Sequence, residues 1–388
     1  MIKRILIVII FVVCSVFDLK SAPEFALWTG NKCTTCHLNQ QGGGMRNEFG
    51  WSFPKDASLF STEDEPLKAF YNLFDKQSYG YLDKRIAFGT DFRMQTIRSH
   101  KTPDAVRRYI PMQMSVYGMI NPIDGITFEG QYNFGRIMFP GQTEYSASVL
   151  IQPSDDLPIL RIGHFQPSFG LRECDMTMLD RRIAAIDATE SLIAPDYAEW
   201  GAEIIYDAPY WLTTSFGVFD AQNLAKNTLY GNQISLIPLE HNPTFNYKLT
   251  IYPNQIFDFL PDGFLGGSYT INGLFWYATA FLGTSITDEL QIIGKFAGSN
   301  MPHTRTTENY TISANYLLQK GVFLGARAEF GNTTLIYGDE KFPIINKQYV
   351  LYSRIFLMPY LELIPEYRIL ETEEYRSSRW AVQLHIYY

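Results

Sequence analysis

The 388-residue chain has a formal charge of −8, 46% hydrophobic and 15% aromatic residues, and a mean hydropathy of −0.10. The negative balance gives no basis for nucleic-acid binding. Near-neutral hydropathy excludes a bundle of apolar transmembrane helices, and four cysteines are too few for a disulfide framework.

The chain opens with Lys3 and Arg4, followed by an apolar run from Ile5 to Phe17. A charged start, a short apolar stretch and the small residues Ser21 and Ala22 read as a secretory signal peptide over residues 1–21. The run is shorter than the ~20 apolar residues that cross a bilayer. Cys14 falls inside it, so only Cys33, Cys36 and Cys174 are expected in the exported chain.

Residues 22–80 differ in character from the remainder of the chain. They hold two cysteines, the run Gly42-Gly43-Gly44, and a helix-like stretch from Glu65 to Asp75 with Leu67, Phe70, Leu73 and Phe74 at helical spacing. This segment reads as a small, mainly helical or irregular domain.

From about Lys84 a period of two takes over. Arg85, Ala87, Gly89, Asp91, Arg93 and Gln95 alternate with Ile86, Phe88, Phe92 and Met94. Farther on, Asn309, Thr311, Ser313 and Asn315 oppose Tyr310, Ile312, Ala314 and Tyr316, and Arg379, Gln383 and His385 oppose Trp380, Val382, Leu384 and Ile386. A soluble sandwich also alternates. Persistence through nearly every strand, with aromatics near strand ends, favours an all-β, transmembrane antiparallel β-barrel of about 16 strands over residues 81–388.

An even strand number puts both barrel ends on one side, so tight turns and longer loops should alternate. Tight turns are expected at Asn121–Gly125, Ser154–Leu157, Ala208-Pro209, Ile286–Asp288, Gln319–Gly321 and Met358–Pro359. Long loops are expected at Arg98–Arg107, Gln166–Asp196, Asp220–Thr244, Ser299–Arg305 and Asn332–Asn346. Asn272-Gly273 is a two-residue hairpin signal at a position where a longer loop is expected.

One motif carries chemistry. Cys33-Thr34-Thr35-Cys36-His37 is a C-x-x-C-H sequence, the attachment site of c-type haem. Two thiols at this spacing add across the two porphyrin vinyl groups, and the adjacent imidazole, His37, becomes the proximal ligand of the iron. A redox dithiol would want a thioredoxin-like βαβ context, and a zinc site needs more ligands than Cys174 alone adds. The expected cofactor is one covalent haem c. For the distal iron position Met45 is a candidate, since thioether ligation raises the reduction potential; it reads equally as an apolar residue packed on the porphyrin. His100, His303 or a lumenal methionine are alternatives.

The run Pro23-Glu24-Phe25-Ala26-Leu27-Trp28-Thr29-Gly30-Asn31-Lys32, the haem motif after it, Arg46 and Phe49-Gly50 resemble the head of the fused monohaem c-type cytochrome–porins. These are outer-membrane proteins of Fe(II) oxidation and extracellular electron exchange. The match covers about the first thirty mature residues. Gly42-Gly43-Gly44 replaces a Phe-Pro-containing segment of iron-oxidising members, a departure that fits a sister branch. The resemblance implies an outer-membrane protein whose haem domain plugs the lumen. It would pass electrons from an external donor such as Fe(II) to a periplasmic c-type cytochrome or another carrier, possessing Fe(II) oxidase activity if iron is the donor. The alternative is a solute porin with a periplasmic haem docking or sensing module.

A second, weaker resemblance spans Arg161 to Leu171, which is similar to a strand-to-loop junction of phosphate-selective-type porins. The loop beyond mixes Arg172, Arg181 and Arg182 with Asp175, Asp180 and Asp187. That mixture reads as a solvated external loop, in preference to one folded inward across the lumen.

Overall fold

The computed structural model describes residues 23–39, 44–61, 68, 79–99, 108–135, 143–172, 178–179, 197–227, 242–301, 305–372 and 376–388. The signal-peptide segment, Gly42, Gly43, His100, Cys174, Arg181, Arg182 and His303 lie outside them, as does the helix-like stretch 65–75 apart from Lys68.

Sixteen strands form one closed antiparallel barrel. The first eight are β1 Ile86–Ser99, β2 Arg108–Ile123, β3 Ile126–Asn133, β4 Tyr145–Ile151, β5 Ile159–Phe165, β6 Glu199–Tyr206, β7 Leu212–Phe219 and β8 Thr244–Ile251. The second eight are β9 Gly263–Asn272, β10 Phe275–Ser285, β11 Leu290–Met301, β12 Arg305–Gln319, β13 Val322–Tyr337, β14 Glu340–Met358, β15 Leu361–Thr372 and β16 Arg376–Tyr387. Each pairs with its sequence neighbours, and β1 closes on β16 in a register running from Asp91↔Tyr387 to Ser99↔Arg379. Paired backbone bonds between Thr90 and Tyr388, both 3.0 Å, finish the seam. Closure leaves no sheet edge unpaired, as a wall in lipid requires.

The period of two sets the faces. Phe88, Ile120, Phe216, Leu282, Ile312 and Leu324 point out and are exposed, giving the apolar exterior of a membrane barrel. Their neighbours Asp91, Arg93, Gln113, Asn309, Thr311 and Glu329 point in and are buried. A barrel this wide leaves its inward side chains room to form a polar lining. Among them Arg354 donates to Glu362 at 2.5 Å. Glu362 in turn meets Nδ1 of His385 at 2.9 Å, and Nε2 of His385 lies 3.1 Å from Asp91.

At one end lie Asp124-Gly125, Lys320-Gly321 and Pro359-Tyr360, two-residue connections, with Gly125 and Gly321 at φ +81° and +75°. A longer connection, 252–262, also lies at this end. By the rule for such barrels this is the periplasmic face. The opposite face departs from the expected run of long loops. Long connections join β1 to β2, β3 to β4, β5 to β6 and β7 to β8, whereas the second half of the barrel turns tightly. Asn332–Asn346 is strand: β13 and β14 stay paired through Asn332↔Ile345 and Ile336↔Lys341 out to Tyr337↔Glu340. Thr333, Thr334, Ile336 and Tyr337 are β-formers, and Gly338-Asp339 suffices to turn the chain. Residues 302–304 alone separate β11 from β12, and Asn272-Gly273 opens the tight turn between β9 and β10.

Candidate haem-attachment site

Of the described residues preceding β1, 23–39 and 44–58 pack against the lumen-facing wall of the barrel. Helix α1 (Pro23–Thr29) and helix α2 (Glu48–Ala57) flank a 3-10 turn at Cys33–Thr35. Phe25, 2% exposed, and Phe53 pack on the lumen-facing Phe323 and Phe356 with Tyr387. Ring centroids from Phe25 to Phe53, Phe323 and Phe356 are 5.8, 5.5 and 5.4 Å, all edge-on, the geometry aromatic quadrupoles favour. Leu27 joins Tyr252, Phe264, Phe281 and Ile293 on another part of the wall. Glu24 pairs with Arg354, tying α1 to the lumenal charge network.

Gly30 ends α1. At φ +60° it lets Asn31 N–H reach the Ala26 carbonyl at 3.0 Å, a left-handed helix stop that glycine favours. A Cβ there would also lie 2.7 Å from Oδ1 of Asp262. The chain then enters the motif. Cys36 and His37 N–H groups both donate to the Cys33 carbonyl at 3.2 Å, so the two thiols and the imidazole share one tight turn. Cys36 and His37 are 2% and 3% exposed; Cys33 is half-buried, and the two cysteines form no disulfide.

Two residues outside the motif fix that turn. Asn47 caps α2, its Oδ1 accepting from Gly50 N–H at 2.9 Å, as N-cap asparagines do. Its Nδ2 donates to the Thr35 carbonyl at 2.9 Å. Gly50 sits against the motif: a Cβ there would lie 2.2 Å from the Cys36 carbonyl oxygen. The glycine of the Phe49-Gly50 pair is therefore what close contact between α2 and the motif turn requires.

The barrel grips the motif from the other side. Lys32 Nζ donates to the carbonyls of Asp207, Pro209 and Leu212 at 2.8, 2.6 and 3.2 Å, and lies 3.0 Å from Oδ1 of Asp207. Thr34 Oγ1 donates to Oδ2 of the same carboxylate at 2.6 Å. Burial pushes the Cys33 thiol up from its ordinary value, while the Lys248 ammonium on β8 pulls it the other way.

The donor set suits a covalent haem: two thiols on one turn, unlinked to each other, followed at once by a histidine. Met45 follows on the same short ribbon. His37 bridges to Arg46, and Leu38 N–H donates to the Met45 carbonyl at 3.1 Å. Adjacent residues on such a ribbon face opposite ways. Met45 packs with Trp51, Tyr79, Tyr117 and Met119, and Leu38 lies on the same cluster. Arg46, on the His37 side, stacks 4.5 Å from the Tyr387 ring.

In the β5–β6 connection the described residues 166–172 and 178–179 depart from the expectation of a solvated external loop, whereas Asp175, Asp180, Arg181, Arg182 and Asp187, which suggested it, lie outside the described residues. The described residues run across the lumen. Ser168 gives its backbone N–H and its hydroxyl to Glu203 at 3.1 and 3.0 Å. Gly170 N–H reaches Ser268 Oγ at 2.9 Å, Leu171 packs on the cluster around Leu27, and Leu179 N–H donates to Glu329 at 2.6 Å. Met178 and Leu179 are fully buried. A gap that opens to solvent remains between the described residues of the ribbon and the wall of β2–β5, lined among others by Asn39, Met45, Glu129, Gln131, Arg161 and Arg172.

No protein-family model matches the sequence, and no curated protein is similar to it. Solved structures are. The outer membrane channel DcaP of Acinetobacter baumannii superposes with a TM-score of 0.56 at 10% identity, covering 80% of this chain and 100% of that one. The fold is that of the porins. OmpT of Vibrio cholerae gives 0.53 at 10% identity, over 78% of this chain and 97% of that one. OmpF of Salmonella typhi, in complex with daunomycin, gives 0.52 at 10% identity over the same shares. This chain is thus a porin-type barrel with a C-x-x-C-H turn within its lumen.

Proposed function

We propose that this protein is an outer-membrane electron conduit carrying one c-type haem on Cys33 and Cys36, with His37 as proximal ligand. The observation that carries the reading is the seat of the C-x-x-C-H turn: buried among lumen-facing side chains, inside a wall whose outer surface is apolar. A single redox centre serves both sides of a membrane only from within that wall. The haem, when bound, supplies one-electron chemistry at a potential tuned by ligation and surroundings. The protein's own groups do the rest. Asn47 and Gly50 hold the two thiols and the imidazole on one turn, Lys32 ties that turn to the periplasmic connection between β6 and β7, and the barrel insulates it from lipid. The β5–β6 loop narrows access from outside to a small donor such as Fe(II), and a periplasmic electron carrier would collect the electron at the tight-turn face.

A second reading, a solute porin whose haem module docks or senses, draws on the unfilled space beside Glu129, Gln131, Arg161 and Arg172 and on the likeness to proteins described as channels. Liposomes enclosing a ferric chelate acceptor separate the two. With purified, haem-loaded protein in the wall, external Fe(II) should reduce the trapped acceptor without leakage of a co-trapped sugar. Sugar efflux with no reduction of the acceptor would favour the porin and overturn the conduit.

A further inference from the structure

Arg46 stands opposite His37 on the short ribbon beside the haem motif. Two backbone bonds straddle the pair: Leu38 N–H to the Met45 carbonyl at 3.1 Å and Asn47 N–H to the Cys36 carbonyl at 3.0 Å. That is the narrow, non-hydrogen-bonded pairing of antiparallel chains, with Cα atoms about 4.5 Å apart and both side chains on one face. The guanidinium and the imidazole therefore issue side by side. Arg46 is 9% exposed, and its Nε and Nη1 are buried without a hydrogen-bond acceptor. The Tyr387 ring, centred 4.5 Å from Cζ, covers one face. The carboxylates nearest in chain and in register are engaged by others. Glu48 pairs with Lys84 at 2.6 Å. Asp91, opposite Tyr387 across the barrel seam, accepts from Nε and Nη2 of Arg93 at 2.9 and 3.2 Å and lies 3.1 Å from His385. A guanidinium taken out of water with no anion beside it costs stability, so packing alone gives no reason for this one.

We infer that Arg46 is the fixed charge that raises the reduction potential of the haem proposed on Cys33 and Cys36. The inference rests on that haem reading, in which His37 is the proximal ligand and Arg46 its cross-strand neighbour. Ferric iron in a porphyrin dianion carries one net positive charge, and ferrous iron carries none. A guanidinium held nearby repels the oxidised form and leaves the reduced form undisturbed. Burial keeps that repulsion strong, because little water lies between the charges to screen it. The effect needs no bond to the iron and no contact with the porphyrin carboxylates. It tunes the site through its surroundings, with ligation unchanged. An external donor loses one electron, ferric iron gains it, and the charge beside His37 favours that direction.

The test compares wild type, R46M and R46K as purified holoprotein, by equilibrium redox titration and visible spectra. A haem-free C33A/C36A chain, with and without R46M, is unfolded in denaturant alongside. In R46M the haem should remain covalently attached with unchanged band positions. The reduced-to-oxidised ratio at a fixed ambient potential should fall about tenfold, which for one electron is about 59 mV. R46K keeps the charge and should stay within roughly threefold of wild type. In the haem-free chain R46M should raise the unfolding midpoint, since methionine covers the Tyr387 ring without burying an unpaired charge. An R46M ratio within about twofold of wild type, or an R46K ratio as low as that of R46M, would overturn the assignment. So would shifted bands, which mean altered ligation, or a lowered midpoint in the haem-free chain, which means that the arginine serves packing. A wild-type chain isolated without covalent haem overturns the proposed function itself, whatever R46M does to stability.

Discussion

The lumenal segment is held differently on its two sides. Toward β13–β16 the contact is apolar: Phe25 and Phe53 against Phe323, Phe356 and Tyr387. Toward β6–β8 it is polar: Lys32 and Thr34 on Asp207 and its neighbouring carbonyls. Interlocked rings fix position through area and shape and tolerate few alternatives. Lysine and threonine donors fix orientation instead, and they do so at the turn that carries the two thiols and the imidazole. The apolar side supplies the energy of docking, and the polar side supplies the aim.

Breaking the apolar side should have the largest effect. Phe25→Ala removes the ring that touches those of Trp28, Phe53, Phe323 and Phe356 and should cost about 3–5 kcal/mol of lumenal packing. Hydrogen exchange should show faster exchange of residues 23–61 with β1–β16 still protected. Equal loosening of the barrel strands would mean that the wall depends on this segment for its fold. Next comes the contact between α2 and the motif. Gly50→Ala forces a Cβ onto the Cys36 carbonyl, an overpacking of roughly 1–3 kcal/mol, and should lower the yield of haem-loaded chain; an unchanged yield would show that the motif turn adapts freely.

Smaller effects sharpen the polar side. Lys32→Met leaves the Asp207 cluster short of a charged donor and should cost about 1.5–3 kcal/mol. It should broaden the orientation of the haem, read as heterogeneous spectra, with little change in hydrogen exchange of α1. Loss of α1 protection on the scale of Phe25→Ala would contradict the division of roles. Last, Ser168→Ala removes one hydroxyl bond from Glu203 and should cost about 1 kcal/mol. Single-channel conductance in planar bilayers should rise modestly as the β5–β6 loop loosens, and a conductance as low as that of wild type would place the barrier in the α1–α2 segment alone.

The wall was readable because a period of two is a local property. Asp91, Arg93 and Gln95 lie inside and Phe88 outside, as their alternation requires. Asn332–Asn346 misled because Gly338-Asp339 and the charged Glu340 and Lys341 look like loop chemistry, whereas the flanking β-branched residues carry the ladder to Tyr337↔Glu340. The inward course of the β5–β6 loop was hidden for another reason. Its anchors Glu203, Ser268 and Glu329 stand 35, 98 and 150 residues away in sequence from Ser168, Gly170 and Leu179, so nothing local to residues 166–172 and 178–179 showed where they would be held. The haem motif is legible in five consecutive residues. Lys32 beside it looked ordinary, its partner Asp207 being 175 residues distant.

The most direct measurement is the intact mass of the mature chain taken from outer-membrane fractions, after acid–organic extraction that strips haem held only by coordination. The expected result is a mass increased by one iron-porphyrin, with a c-type absorbance spectrum that survives denaturation, and loss of both in the C33A/C36A chain. A mature polypeptide of unmodified mass, or one recovered in the soluble fraction without detergent, would contradict it.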